Sequence, residues 1–139
     1  MIYFTDTDPV TASSNLCDRH LRKTIAFSLK AIREALENRT QQTDPYVRWA
    51  CASRRNLKWV IEHAHSAIHE VYFRHRKGMP AENTYAVVDA EKAIRSQIEG
   101  SYLTPFPNNV AMVREYYRTN IAPKSRWTRR FPPDWVLEY

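Results

Sequence analysis

Glycine is almost missing from this chain: Gly78 and Gly100 are the two that occur in 139 residues. A P-loop or a GxGxxG fingerprint needs several glycines close together to bring backbone against a phosphate, so both nucleotide-binding motifs are excluded. Cysteine is equally scarce. Cys17 and Cys51 are too few for a disulfide framework and fit a reducing compartment, which makes the cytoplasm the expected location. No apolar run approaches the roughly 20 residues that cross a bilayer. The start, Met1 to Asp6, has no basic segment followed by a long apolar one, so neither a membrane span nor a leader is expected. The alternation of a half-buried strand is also missing. What is present is an ordinary globular composition, 43% hydrophobic and 26% charged, in a length that suits one compact domain over residues 1–139.

The net charge of +6 is unevenly spread. Residues 1–44 are neutral overall, residues 45–79 carry +5, residues 80–100 carry −2 and residues 101–139 carry +3. Two basic zones on a neutral frame suit a polyanionic partner, with nucleic acid the first candidate. The competing reading is a solvated basic surface with no partner.

Helical periodicity dominates the chain. Asp8-Pro9 reads as an N-cap followed by proline at the first helical position, and Leu21, Ile25, Leu29, Ile32 and Leu36 then recur at spacings of three and four. This predicts one amphipathic helix running to about Asn38. Asp44-Pro45 repeats the start signal, and a stripe from Val47 through Leu57, Ile61 and Ile68 to Val71 predicts a long second helix ending near Gly78. A third is expected over about 82–99 with Val87, Ala90, Ile94 and Ile98 inward, and a short fourth over 110–120, after the turn at Thr104-Pro105. The expected fold class is all-α.

On the first helix Asp18 falls with the apolar stripe, so its carboxylate requires a basic or indole N–H partner from another segment. His20, Lys23, Phe27, Lys30 and Glu34 fall on the opposite face. His20 and Lys23, one turn apart, form a candidate pair for phosphate contact or proton transfer, or else are plain solvated side chains. His65 and His69 share a helix face as zinc ligands do, but no third ligand or HExxH accompanies them, so no metal is expected. Trp49 and Trp59 are assigned to the core, while Trp127 and Trp135 stay open. The segment from Glu70 to Lys77 and the tail from Arg114 to Trp135 interleave basic and aromatic residues, which neutralise phosphates and stack on bases respectively.

Taken in order, these residues resemble the pyrimidine-dimer DNA glycosylase (endonuclease V) family, as a divergent phage member. The matches are Asp8-Pro9, Cys17-Asp18-Arg19-His20 with Lys23, Pro45, Trp49-Ala50, Ser53, Asn56 and Trp59. Glu70, Tyr72, Arg74, Lys77, Thr104-Pro105, Tyr116-Tyr117, Lys124, Trp127-Thr128, Arg130, Pro133 and Trp135 complete the set. They cover nearly the whole chain outside about residues 80–100. The resemblance implies a compact helical fold that grips duplex DNA and extrudes a nucleotide. It also implies an amine nucleophile that attacks the sugar C1′ and forms an imine, aided by a carboxylate on the first helix. On that basis Met1, Asp18, His20 and Lys23 are the candidate catalytic residues. Arg19, Arg54, Asn56, Arg74, Lys77, Lys124, Arg126, Trp127, Arg129 and Arg130 are the candidate DNA-binding residues, and no cofactor is expected.

Two positions depart from the family pattern. Phe27 stands nine residues after Asp18, where related sequences carry the glutamate, and Asp44 stands where many have histidine. Glu34 shares the face of Phe27 but lies about 10 Å further along the helix. Bulky Ile2 follows Met1, which argues for retention of the initiator. Three readings therefore remain open: a base-excising glycosylase or lyase, a thymine-hypermodification enzyme that displaces pyrophosphate from an activated 5-methylene pyrimidine, and a non-catalytic DNA-binding or host-blocking protein.

Overall fold

Aspartate followed by proline opens two of the helices, as the sequence predicts. In a computed structural model of the chain, which describes residues 2–37 and 44–137, Asp8 caps α1 (Pro9–Ser14) by accepting from the Thr11 amide. Asp44 likewise caps α3 (Pro45–Ala52) through the amides of Tyr46 and Val47. The other α-helices are α2 (Asp18–Leu36), α4 (Arg54–His75), α5 (Ala81–Ile94), α6 (Val110–Asn120) and α7 (Asp134–Leu137). No strand occurs among the described residues, and the fold is all-α. Helix α4 is the central element and packs against α1, α2, α3 and α5.

The first expected helix is in fact two, separated at residues 15–17. Backbone groups of that break are met by side chains and backbone from distant segments. Arg74 donates to the carbonyls of Ser14 (3.0 Å) and Leu16 (2.7 Å), Trp127 Nε1 donates to the Asn15 carbonyl (3.0 Å), and the Cys17 amide donates to the Tyr117 hydroxyl (2.8 Å). With those partners, the helical ladder can stop without leaving buried polar groups unpaired.

The second expected helix is also divided. Ser53 is extended (φ −154°, ψ 156°) and its hydroxyl both accepts from the Asn56 amide (3.0 Å) and donates to the Tyr102 carbonyl (2.7 Å). Asn56 then clasps residue 104, donating to the Thr104 hydroxyl (2.8 Å) and accepting from its amide (2.9 Å). Helix α4 ends at His75 with Arg76 in the left-handed region (φ 55°), so Gly78 lies beyond the cap. Helix α6 matches its expected span, whereas α5 ends at Ile94, short of the expected 99, and a 3-10 turn over Arg95–Gln97 follows; Gly100 (φ 81°) lies beyond that turn in a conformation that glycine adopts without strain.

The core holds more than the helix stripes. Phe4 is fully buried, its ring 4.5 Å from that of Phe106, 4.9 Å from Trp59 and 5.1 Å from Trp49. Burying such a ring contributes roughly 1.5–3 kcal/mol, and it draws residues 2–5 into the interior. Residues 2–4 and α3 thereby cover the second face of α2. His20 and Glu34, expected on an outward face, are consequently buried, and Phe27 is half-buried against Tyr46.

Candidate functional site

A buried ionic network joins the start of α2, the end of α4 and the tail. Asp18 accepts from Arg74 Nη1 (3.1 Å), from the Thr128 amide (3.0 Å) and from the Thr128 hydroxyl. Burial alone raises the Asp18 carboxyl, but the bonds from Thr128 and Arg74 outweigh it and hold it below the usual carboxylate range. Arg74 is fully buried and also donates to Glu70 (3.0 Å). Glu70 in turn receives two bonds from Arg130, whose guanidinium lies 4.7 Å above the Phe73 ring. The basic partner expected for Asp18 is therefore Arg74, and the Asp18 oxygens are committed to holding the tail rather than free to move protons.

Three residues expected on DNA face inward instead. Arg74 and Asn56 have no exposed surface and spend their donors on backbone, hydroxyl and carboxylate acceptors; Trp127 is buried with its N–H on Asn15. None of them can reach a phosphate without breaking the interior. Arg54, with Nη1 3.5 Å from the Ala35 carbonyl, lies at the far end of α2, about 25 Å by helix rise from Asp18. It is not gathered with the others.

The remaining basic candidates do converge. The Asp18 amide donates to the Arg126 carbonyl (2.8 Å), which brings the segment that carries Lys124, Arg126 and Arg129 against the start of α2, where Arg19 and Arg22 lie. His75 Nε2 is 4.0 Å from Asp18, so Arg76 and Lys77 follow at the same place. Arg19, Arg22, Lys23, Arg76, Lys77, Lys124, Arg126 and Arg129 are all exposed, and Arg130 is partly so. Asp18 and Glu70, the two nearby acids, are already paired. The result is an arc of cations drawn from three segments of sequence.

His20 points away from solvent. Its ring stacks on Tyr3 (centroids 4.9 Å, interplanar 11°) and meets the edge of Tyr117, while Nδ1 has no partner. Burial first, then the charges of Arg19 and Lys23, lowers its pKa from 6.5 to about 4, so it is neutral at pH 7. The solvated pair expected of His20 and Lys23 is thus split, with Lys23 outside and His20 inside. Met1 lies outside the described residues.

Beside the arc is a cavity of about 270 Å³ between the N-terminal segment and α6. Ile2 and Tyr3 form one side, Met112, Val113 and Tyr116 another, and Tyr46 and Asn108 a third. Its walls are fixed by long-range bonds: Arg114 donates to the Thr5 carbonyl (2.7 Å) and to Asp6 (3.0 Å), and Tyr117 holds α6 to Cys17. Phe27 packs edge-on behind Tyr46. None of the lining residues is a carboxylate, and Glu34 is instead buried with Oε2 unpartnered; burial first, and the Glu34 charge second, raise the thiol pKa of Cys51. Tyr3, Tyr46 and Asn108 were not singled out by sequence reasoning; aromatics in a short N-terminal stretch and an asparagine in a turn carry no periodic signal.

No family model, curated protein or solved structure matches the chain. His65 and His69 do share a face, their Nε2 atoms 3.1 Å apart, but no group of three potential metal ligands occurs among the described residues. No helix among them is long and apolar enough to cross a membrane.

Proposed function

We propose that this protein binds duplex DNA along the basic arc and acts on an extruded pyrimidine, in the manner that its resemblance to the pyrimidine-dimer DNA glycosylases implies. The observation that carries this reading is the convergence of Arg19, Arg22, Lys77, Lys124, Arg126 and Arg129 around one buried network. Exposed cations on segments that meet at one network suit a phosphate backbone, because each neutralised phosphate releases counterions. In the excision chemistry an amine attacks C1′, the base departs and an imine remains. Met1 and Lys23 are the candidate amines, and Lys23 is exposed on the helix face next to His20.

A second reading is favoured by one observation, the lack of a carboxylate in the cavity lining with Phe27 packed behind Tyr46. A site without an anion to offset a sugar cation suits modification of the base. There an incoming amine forms a C–N bond at an activated 5-methylene carbon while the C–O bond to pyrophosphate breaks, and the arc holds the leaving anion.

The test is fluorescence anisotropy of a labelled duplex across a salt series, with wild type and Arg19→Ala/Arg126→Ala/Arg129→Ala. Affinity should fall, and the slope of log K against log salt should shrink by about 0.9 for each phosphate that is no longer neutralised. Unchanged affinity and slope in the triple variant would sink the DNA reading. Borohydride trapping on abasic and dimer-containing duplex, followed by intact mass, separates the chemistries: an adduct on Met1 or Lys23 supports excision, and pyrophosphate release from modified DNA without an adduct supports base modification.

A further inference from the structure

We infer that the cavity between residues 2–3 and α6 is a slot for one extruded thymine or uracil ring, whose N3 edge is read by Asn108. This rests on the DNA reading above and assigns it a base-binding site.

Size is the first argument. A space of about 270 Å³ falls just under the roughly 300–1,000 Å³ of sites for drug-sized ligands, which suits a single pyrimidine ring. The lining is suited to a flat ring: Tyr3, Tyr46 and Tyr116 offer aromatic faces and edges, and Ile2 and Met112 supply apolar contact.

Asn108 provides the polar recognition. Its Nδ2 donates one hydrogen to the Tyr46 hydroxyl (2.7 Å). An amide anchored in that way keeps one N–H and its carbonyl for a ligand. That donor and acceptor side by side match the imide edge of thymine, where N3–H donates and the adjoining carbonyl accepts. The anchor is itself held. Trp49 Nε1 donates to the Pro105 carbonyl (2.9 Å) on one side of the loop, and Asn109 caps α6 by accepting from the Ala111 amide (2.8 Å) on the other. Asn108 is thus prepositioned, which lowers the ordering cost of binding. Tyr3 stacks on His20, the residue after Arg19, so a phosphate flanking the bound ring meets the near end of the basic arc.

The experiment compares duplexes with a single unpaired thymine and with a single unpaired N3-methylthymine, which cannot donate from N3. Extruding an unpaired base is inexpensive, so the probe reads the slot rather than helix opening. Wild type should bind the thymine bulge about tenfold more tightly than the methylated one. Asn108→Ala, on an exposed loop, should erase that difference while keeping the affinity and salt slope for a fully paired duplex. Tyr46→Phe, which removes the anchor, should reduce it. Equal binding of the two bulges by wild type, or unchanged discrimination in Asn108→Ala, overturns this inference alone. Failure of wild type to bind any duplex overturns the DNA reading and this inference together.

Discussion

Replacing Arg74 by methionine removes the centre of the ionic network and keeps most of the side-chain volume. The guanidinium donates four hydrogen bonds of 2.7–3.1 Å, to the carbonyls of Ser14 and Leu16 and to the carboxylates of Asp18 and Glu70. Without it both carbonyls lose their side-chain donor, Asp18 keeps Thr128, and Glu70 keeps Arg130. Breaking a buried ion pair from one side costs about 3–5 kcal/mol, a large share of the roughly 5–15 kcal/mol that holds a domain folded. With a urea dependence of about 2 kcal/mol per molar, the unfolding midpoint at pH 7 should fall by about 2 M. Arg74→Lys should fall by about half as much, because one ammonium cannot span four acceptors. The assay is equilibrium urea unfolding followed by tryptophan fluorescence, since Trp127 docks at this network. A shift under about 0.5 M for the methionine variant would defeat this account. It would mean that the tail is held by apolar packing alone and that the network adds little.

Three further outcomes follow from buried groups. His20 and His63 are both lowered from 6.5 to about 4, by burial first in each case. The unfolded chain therefore binds more protons between those values, and their contribution is complete above pH 6.5 and lost as pH falls towards 4. Urea midpoints should decline over that window, with His63→Leu flattening the decline by about one proton; a flat profile in wild type would exclude neutral burial of the histidines. Tyr117→Phe strands the Cys17 amide and should cost about 1–3 kcal/mol in the same assay, whereas an unchanged midpoint would mean that water replaces the hydroxyl. Asn56→Ala cuts the clasp to Trp49 and Thr104 and should cost about 2–4 kcal/mol. Hydrogen exchange should speed up in the amide of Thr104, and unaltered exchange there would argue that the 101–105 segment is held from elsewhere.

Sequence alone was enough for what depends on neighbours in the chain. Asp8-Pro9 and Asp44-Pro45 open helices because a carboxylate reaches the amides two or three residues on, and a proline first in a helix lacks only an N–H that would have no helical partner. The stripes on α2 and α5 mark their inner faces, since helical pitch is a local property; Leu21, Ile25, Val87, Ala90 and Ile94 are buried as expected. The two basic zones were legible from counting, and the core assignment of Trp49 and Trp59 from the bulk and apolarity of their indoles; both are buried.

Everything else was settled by contacts between residues far apart in the chain. At residues 15–17 Arg74, Trp127 and Tyr117 meet backbone groups that a continuous helix would pair for itself, and after Ser53 the Arg55 amide is met by the Ser101 hydroxyl (3.0 Å). A helical wheel gives the angle of His20 and Glu34 but not what lies against that angle: Tyr3 stacks on His20, and Cys51 of α3 lies close enough to Glu34 to feel its charge. Charge counting could not tell Arg74 from Arg126: one is spent on buried acids and carbonyls, the other stands in solvent. The pocket is assembled from Ile2, Tyr46, Asn108 and Tyr116, which lie in three separate stretches of sequence. Periodicity is set by the backbone within a few residues, whereas burial, pairing and cavities are set by which distant segment arrives alongside, and that is fixed only when the whole chain packs.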